Sequence, residues 1–282
     1  MSGQGARPAA GSSVAPAVAE TVDGDQPQMQ LGVDVGGTST KGAIVDLRSG
    51  QLAGPIHNAQ TPEGATPEHV AALVRQIAAA EGWIDGVGIA LPGVIAGSRL
   101  RHAPNLSRAW ESDGALDCLL DGADTTAVLI NDADAAGLAE LIYGRAQPSD
   151  DGLTVVLTFG TGIGSALLHN GDLIPNSELG GITSGADRFE DVASGRAISE
   201  HDLTPAQWAE RAQPYFDLLE TLLNPGRWVL GGGLTENFQQ YASRLDLSRP
   251  VSAAHLGVHA GIVGAAAAAR RFDSSASRSP RR

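Results

Sequence analysis

Cysteine is almost missing from this sequence. Cys118 is the single one, so no disulfide can close within the chain and no cysteine-rich zinc site can form. A lone small thiol of this kind reads first as a core residue. Aromatic residues make up only 4%, which leaves Ala, Val, Leu and Ile to build the interior. A basic surplus is absent too. Nineteen Lys and Arg face 32 Asp and Glu, a net charge of -13, which excludes the broad cationic face that general nucleic-acid binding needs. A small local cationic site for phosphate stays compatible with that balance. No apolar run approaches the ~20 residues needed to span a bilayer. The N-terminus lacks a basic start followed by a strongly apolar stretch, although "SVAPAVAE" weakly imitates a cleavage site. A cytoplasmic location, with neither membrane nor nucleic acid as a partner, is therefore the expectation.

What is present is a chain of 282 residues, 42% hydrophobic, with 36 glycines. That length admits one large or two medium domains. Residues 1–28 are rich in Gly, Ala, Ser, Pro and Gln without periodicity and read as a disordered leader. Residues 273–282, "DSSASRSPRR", read as a flexible basic tail. Between them strands and helices alternate. "MQLGVDVGG" and "TKGAIVDL" are strands around a Gly-Gly turn, and Thr66-Pro67-Glu68 opens a helix that runs to about Ala80. "DGVGIALPG" is a buried strand. "TAVLIND" is another, leading straight into an Ala-rich helix. "LTVVLTFGTG" is followed by "IGSALLHNGDLIPN", where Asn170-Gly171 signals a hairpin. "TPAQWAERAQPYFDLLETLL", "LTENFQQYASRL" and "HAGIVGAAAAARRF" read as helices, the first with Pro214 inside it, and "RWVLGGG" as a strand. The whole is a mixed α/β pattern with antiparallel hairpins, and no simple doubly wound parallel sheet.

Two segments repeat one design. "GVDVGGTSTKGAIVD" and "VLTFGTGIGSALLHN" are each strand, glycine-rich turn, strand, with Gly36 corresponding to Gly160. Gly36, Gly37, Gly160 and Gly162 expose backbone N–H groups without Cβ interference, and Thr38 and Thr161 add hydroxyl donors. One copy alone would be a tight hairpin; two copies point to duplicated phosphate-binding halves. Neither fits better-known nucleotide motifs. Lys41 is followed by Gly42, not Ser or Thr, so there is no P-loop, and Gly160, Gly162 and Gly164 run into a strand where a dinucleotide fold needs a helix. "VLGGGLTENF", through Gly232, runs from strand to helix and would suit an anion. Asp34, two residues before Gly36, can hold Mg²⁺ against bound phosphates through water, or serve as a turn cap. Lys41, Arg99, Arg101, Arg108 and Arg188 are candidate cations for a phosphate channel.

On the acceptor side, Asn131 and Asp132 lie where a strand gives way to a helix. A carboxylate there is placed to take the proton from an attacking hydroxyl, and both residue types are equally good helix caps. Asn105 and Glu178 sit in polar loops after strands and are candidate hydroxyl ligands. Asp187, Glu190 and Asp191 form an acidic run that reads by default as a solvated helix face.

Together, "GVDVGGTSTKGAIVDL", "ALPGVI", "NDADAAGLAE", "LTFGTGIGSALLHNGDLIPNSELG" and "VLGGG" resemble the ROK family of sugar kinases, and within it the actinobacterial polyphosphate glucokinases. The resemblance covers roughly residues 30–270. It implies an actin-like ATPase-domain fold, with duplicated ribonuclease-H-like lobes around a central cleft. The lobes would span residues 29–130 and 131–258, and a closing helix over 259–272 would pack back on the first. It implies Mg²⁺, transfer to the 6-hydroxyl of glucose from polyphosphate or ATP, and a homodimer. Asp132 resembles the base, and Asn105, Asn131, Glu178 and Glu190 resemble sugar contacts. Gly36, Gly37, Thr38, Gly160, Thr161 and Gly162 fall in the phosphate motifs. The run "ELGG" departs from the family's usual "ELGH", so Gly181 stands where a sugar-contacting histidine is expected. The Cys-rich zinc motif of many members is absent, and no structural zinc is expected. A strictly ATP-dependent kinase for another hexose, or a sugar-binding protein with weak catalysis, are the alternative readings.

Overall fold

Strand β1 (Met29–Val35) sets the plan of the molecule. Its odd residues Leu31, Val33 and Val35 are each 0% exposed and share a core with Val70, Val74 and Ile77 of helix α1 (Pro67–Ala80). The even residues Gly32 and Asp34 fall on the opposite face, as the two-residue period requires. Helix α1 starts where its sequence directs. Thr66 accepts the His69 N–H, the His69 ring accepts the Thr66 N–H, and Pro67 occupies the first turn.

The computed structural model describes residues 28–103, 105–120, 127–148, 152–185 and 187–276. The expected leader lies outside the described residues except for Gln28, as do residues 277–282 of the expected tail.

Two sheets share one topology. In the first, β2 (Ser39–Asp46), β3 (Gln51–Leu52), β4 (Val87–Leu91) and β5 (Ala127–Asn131) join β1 in the order β3-β2-β1-β4-β5. A short strand, His57–Gln60, pairs with β2 beside β3. The second sheet runs β8-β7-β6-β9-β10. Its strands are β6 (Leu153–Phe159), β7 (Ile163–His169), β8 (Asp172–Ile174), β9 (Arg227–Gly232) and β10 (Val251–Ala253). In both, the first two pairings are antiparallel and the last two parallel. This is the duplicated, actin-like arrangement. The β7–β8 hairpin turns on Asn170 and Gly171, both at positive φ (53° and 86°), the backbone that an Asn-Gly pair supplies at low cost.

Each sheet packs one face on its own helix and the other on a shared central pair. Helix α2 (Asp132–Tyr143) packs on β7 of the second sheet. Helix α3 (Pro205–Leu223) covers that sheet's far side, with Trp208, Tyr215 and Phe216 against Val155, Leu157 and Phe159. Helix α4 (Ala260–Ala276) lies on β1, β4 and β5 of the first sheet and also against α2. It continues four residues past the end expected from sequence, into the segment read as tail. The other difference is "LTENFQQYASRL". It forms a 3₁₀ turn, Gly233–Asn237, and a single short helix, Phe238–Ala242. The Thr235 hydroxyl donates to the Gly232 carbonyl at 2.8 Å, a local bond that competes with a regular helical start.

The α4 contact is made backbone to backbone. A Cβ on Gly32 would lie 2.1 Å from the Ile262 carbonyl oxygen, one on Gly88 1.8 Å from that of Ala265, and one on Gly264 1.7 Å from that of Ala135. No rotamer change relieves such a clash, because the obstructing atoms are main chain. Gly88→Ala is therefore expected to lower unfolding stability by about 3 kcal/mol, at the upper end for overpacking, measured by urea denaturation.

Candidate active site

The two glycine turns close the matching ends of β1–β2 and β6–β7. Gly36 N–H bonds the Ser39 carbonyl at 2.9 Å, and Gly160 N–H bonds that of Gly162 at 3.0 Å. Thr38 and Thr161 are exposed at the tips. Gly232 pairs with Phe159 at the neighbouring strand end, beside the second turn. Beyond Gly232 the chain enters the 3₁₀ turn at once, so the regular helix N-terminus expected there for an anion is not formed. The start of β7, just past the second turn, borders α2, since a Cβ on Gly164 would come within 2.9 Å of the Ala133 Cβ. Asn105, exposed, lies against the first turn, where a Cβ on Gly37 would meet its own Cβ at 2.7 Å.

The cap and the acid separate cleanly at the start of α2. Asn131 is the cap: its Oδ1 accepts the Asp134 N–H at 2.9 Å. Asp132 is the first helical residue, and its bonds are local: Oδ1 accepts the adjacent Ala133 N–H at 2.8 Å, and its own backbone N–H also reaches the carboxylate. Its carboxyl is largely buried yet the residue keeps some solvent access. Burial raises its pKa to about 7, and the charges of Asp34 and Glu178 push the same way. Asp34 is raised as well, by burial, with Lys41 opposing. Lys41 stands directly across from Asp34 on β2, so its nearest role is to neutralise that carboxylate. The backbone of α4 abuts Asp34, where a Cβ on Gly261 would lie 2.5 Å from Oδ2.

Glu178 is held from both sides along the chain. Before it, Asn176 at φ 63° gives its N–H to Asp134 Oδ2 at 2.6 Å. The Asn176 side chain accepts the Ile95 N–H at 2.9 Å and donates to the Ile95 carbonyl at 3.3 Å. Ser177 and Ser165 exchange bonds, and Ser165 Oγ accepts the Leu179 N–H at 3.0 Å. Asn131 Nδ2 donates to the Gly93 carbonyl at 3.0 Å and to Glu178 Oε1 at 3.5 Å. Asn131 is 3% exposed, so its amide orients Glu178 before it can reach any ligand. Burial raises the Glu178 pKa, His102 lowers it, Glu190 raises it and Arg188 lowers it. Asp134 is pushed by burial to about 6, and its Oδ1 has no hydrogen-bond partner among the described residues.

In the acidic run Asp187 and Asp191 are exposed, as a solvated face requires, and Glu190 departs from it. Asp187 and Arg188 form a two-residue strand and Glu190 lies on the short helix Phe189–Ala193. Glu190 turns inward, its side chain 22% exposed, and pairs with Arg188 at 2.7 Å. Its Oε2 lies 2.6 Å from where a Cβ on Gly162 would sit, against the second phosphate turn. Of the other candidate cations, Arg99 is paired with Asp113 at 2.5 Å, away from these groups, and Arg101 and Arg108 are exposed. Sequence reading missed Asn176, Asp134, Ser165 and His102. The signal available for two of them was conformational, since Asn and His are over-represented at positive φ and His102 sits at 56°.

Residues 30–181 match the model of the ROK family. The polyphosphate glucokinase of Mycobacterium tuberculosis (strain CDC 1551 / Oshkosh) is 39% identical over 260 residues, covering 91% of this chain and 97% of that protein. An N-acetylmannosamine kinase of Yersinia pseudotuberculosis is 32% identical over 189 residues, 61% of this chain and 63% of the relative. Among solved structures, the inorganic polyphosphate/ATP-glucomannokinase of Arthrobacter sp. strain KM has a TM-score of 0.80 at 36% identity, over 86% of this chain and 99% of that one. A ROK family glucokinase from Streptomyces griseus, in complex with glucose and AMPPNP, shares the fold at TM-score 0.74 and 23% identity, over 86% and 100%. Both glycine turns, the Asn131-Asp132 pair and Glu178 lie inside the matched span, and the chain belongs to the ROK family.

Proposed function

We propose that this protein is a sugar kinase that moves a phosphoryl group from polyphosphate, with ATP as a second donor, to the 6-hydroxyl of glucose. The observation that carries the proposal is Asp132. It is a largely buried carboxylate at the start of α2, near the second of two duplicated glycine turns, with a pKa raised to about 7 chiefly by burial. The polyphosphate glucokinase and polyphosphate/ATP-glucomannokinase relatives support the substrate pair.

Asp132 takes the proton from the 6-hydroxyl as its oxygen bonds to the terminal phosphorus. The bridging P–O bond breaks, and a polyphosphate one unit shorter, or ADP, leaves. Because charge spreads over the transferring phosphoryl oxygens, positioning and electrostatics supply most of the catalysis. The Thr38 and Thr161 hydroxyls and the turn N–H groups other than those of Gly36 and Gly160, which are committed within the turns, serve that role. Glu178 and Asn105, with Glu190 behind them, hold the sugar.

Mg²⁺ belongs to the same proposal. Asp34 would hold it, a hard oxygen donor whose charge reaches Asp132 and raises its pKa. Among the described residues no three His, Cys, Asp or Glu converge on a metal site. That donor set fits a cation that takes one or two carboxylates and draws its other ligands from phosphate and water. Mg²⁺ would supply charge neutralisation on the phosphates. A homodimer and a cytoplasmic location complete the reading; both rest on the sequence. Among the described residues no helix is long and apolar enough to cross a membrane.

A matrix of donors (polyphosphate, ATP) against acceptors (glucose, mannose, N-acetylmannosamine) tests the proposal directly. Glucose 6-phosphate is expected, and its absence with both donors overturns the reading. Asp132→Ala should lower kcat by roughly 10²–10⁴-fold with the fold intact; a variant that merely melts earlier and keeps its turnover would return Asp132 to a structural role. Only the carboxylate form accepts the proton, so kcat/KM should rise with pH along a limb centred near 7.

The same shift makes a stability prediction. The Asp132 pKa is raised from 3.8 to about 7, so between those values the folded state keeps a proton that the unfolded chain releases, and stability falls as pH rises. Asp132→Asn removes that dependence. Its melting temperature should match the parent near pH 4 and exceed it at pH 8, measured by calorimetry.

A further inference from the structure

Arg188 is grouped by sequence with the cations of a donor channel, and its geometry belongs elsewhere. The chain leaves Glu178 through a 3₁₀ turn, Leu179–Gly181, and pairs Thr183 with Arg188 across a two-residue ladder. The Phe189 N–H then bonds the Ile182 carbonyl at 3.0 Å. This excursion returns residue 188 to the side of residue 181. The guanidinium lies over bare backbone there, with Nη2 3.3 Å from where a Cβ on Gly181 would stand. Nη1 is fixed by Glu190 Oε1 at 2.7 Å, and Glu190 is itself wedged against Gly162. Arg188 lies near enough to Glu178 to lower its pKa. Its side chain is 53% exposed and Glu190 is its one ion-pair partner among the described residues.

A guanidinium has five N–H donors and no acceptor. One edge of this one is committed to a carboxylate, and Nη2 and Nε remain to serve a ligand beside Glu178 and Glu190. Sugar hydroxyls both donate and accept, so a donor edge set among carboxylates satisfies a pair of neighbouring hydroxyls completely. The three side chains together carry one net negative charge. That disfavours a uronate or a sugar phosphate and suits a neutral polyol.

We propose that Arg188 is a sugar-binding, specificity-determining residue of the acceptor site, donating to hexose hydroxyls across the space that Gly181 leaves open. The proposal rests on the sugar-kinase reading of the same cleft.

The test uses the full chain with glucose, 1-deoxyglucose and 2-deoxyglucose as acceptors and polyphosphate as donor. Arg188→Ala and Arg188→Gln should raise the KM for glucose about 10- to 100-fold, the range for a lost charge-assisted hydrogen bond, while the KM for polyphosphate holds. Arg188→Lys, with a point charge and no fork, should fall between. One of the deoxy sugars should show the same loss with the native protein and no further loss with Arg188→Ala, which a merely structural role would not produce. An unchanged KM for glucose overturns the proposal. So does a loss that falls on polyphosphate, which would make Arg188 a donor-side cation, or deoxy-sugar losses that multiply with the Arg188→Ala loss. Calorimetric binding of glucose to the native protein and to Arg188→Ala separates the two readings. If neither donor gives turnover, the kinase reading fails, and a binding difference between the two proteins still sustains the Arg188 contact, while equal binding overturns it.

Discussion

The cleft depends on one contact, the main chain of α4 laid directly on bare glycine in β1 and β4. Gly32 and Gly88 remove the Cβ atoms that would hold the helix off the sheet, and Gly264 does the same where α4 crosses α2. Because α2 in turn packs on β7 of the second sheet, these two helices are the central layer between the lobes. The alternation of β1 makes this possible, since Leu31, Val33 and Val35 point toward α1 while Gly32 and Asp34 face α4. Glu140 ties the pair further. It is 1% exposed, and its carboxylate accepts the N–H groups of Arg145, His255 and Leu256 at 2.7–2.9 Å, joining the end of α2 to the approach to α4. A buried carboxylate with this many donors is a strong local constraint.

That frame has an electrostatic consequence. Helix α4 abuts Asp34, and α2 starts at Asp132, so packing the helices concentrates carboxylates at one end of the central layer. Asp34, Asp132, Asp134 and Glu178 all have raised pKa values, in each case chiefly through burial. The close glycine packing that stabilises the lobes thus drives acid groups into a space where their charge costs free energy. Such a balance is typical of sites that trade stability for chemistry. The few cations present divide the labour: Lys41 moderates Asp34, His102 and Arg188 moderate Glu178, and Arg188 also pairs with Glu190.

Much of this was legible in the sequence because it is local. The first helix begins at Pro67 and ends at Ala80 as its cap and periodicity direct, and Asn170-Gly171 turns the hairpin that its backbone preference requires. The duplicated turns are visible in the register of Gly36 with Gly160, and the duplication extends to the full pairing order of both sheets. What was not legible depends on contacts far apart in the chain. Glu190 reads as solvated in its own segment, and only the approach of Gly162, 28 residues earlier, shows that it is turned inward. Asp134 reads as one more acid on an Ala-rich helix until the Asn176 N–H reaches it. The 3₁₀ turn after Gly232 went unseen because a threonine-to-carbonyl bond competes with helix propensity, and composition does not resolve that contest.

The division between the two sides of the cleft has a physical reason. A phosphate accepts hydrogen bonds from any suitably exposed N–H, so its site can be made of backbone, and backbone sites leave a readable trace in glycine spacing. A sugar presents hydroxyls that must be matched one by one, and the matching groups arrive from several loops whose order along the chain carries little information. Asn105 comes from the loop before a 3₁₀ turn, Glu178 from the end of the β8 excursion, and Arg188 from a two-residue strand. Within the proposed acceptor site, Asp134, Ser165 and Asn131 fix the backbone and carboxylate of the Glu178 loop, and Glu190 pins Arg188 beside it. On that proposal the acceptor side is specified by its supports as much as by the residues that face the ligand, and a change in a supporting residue such as Ser165 would alter recognition without touching the sugar.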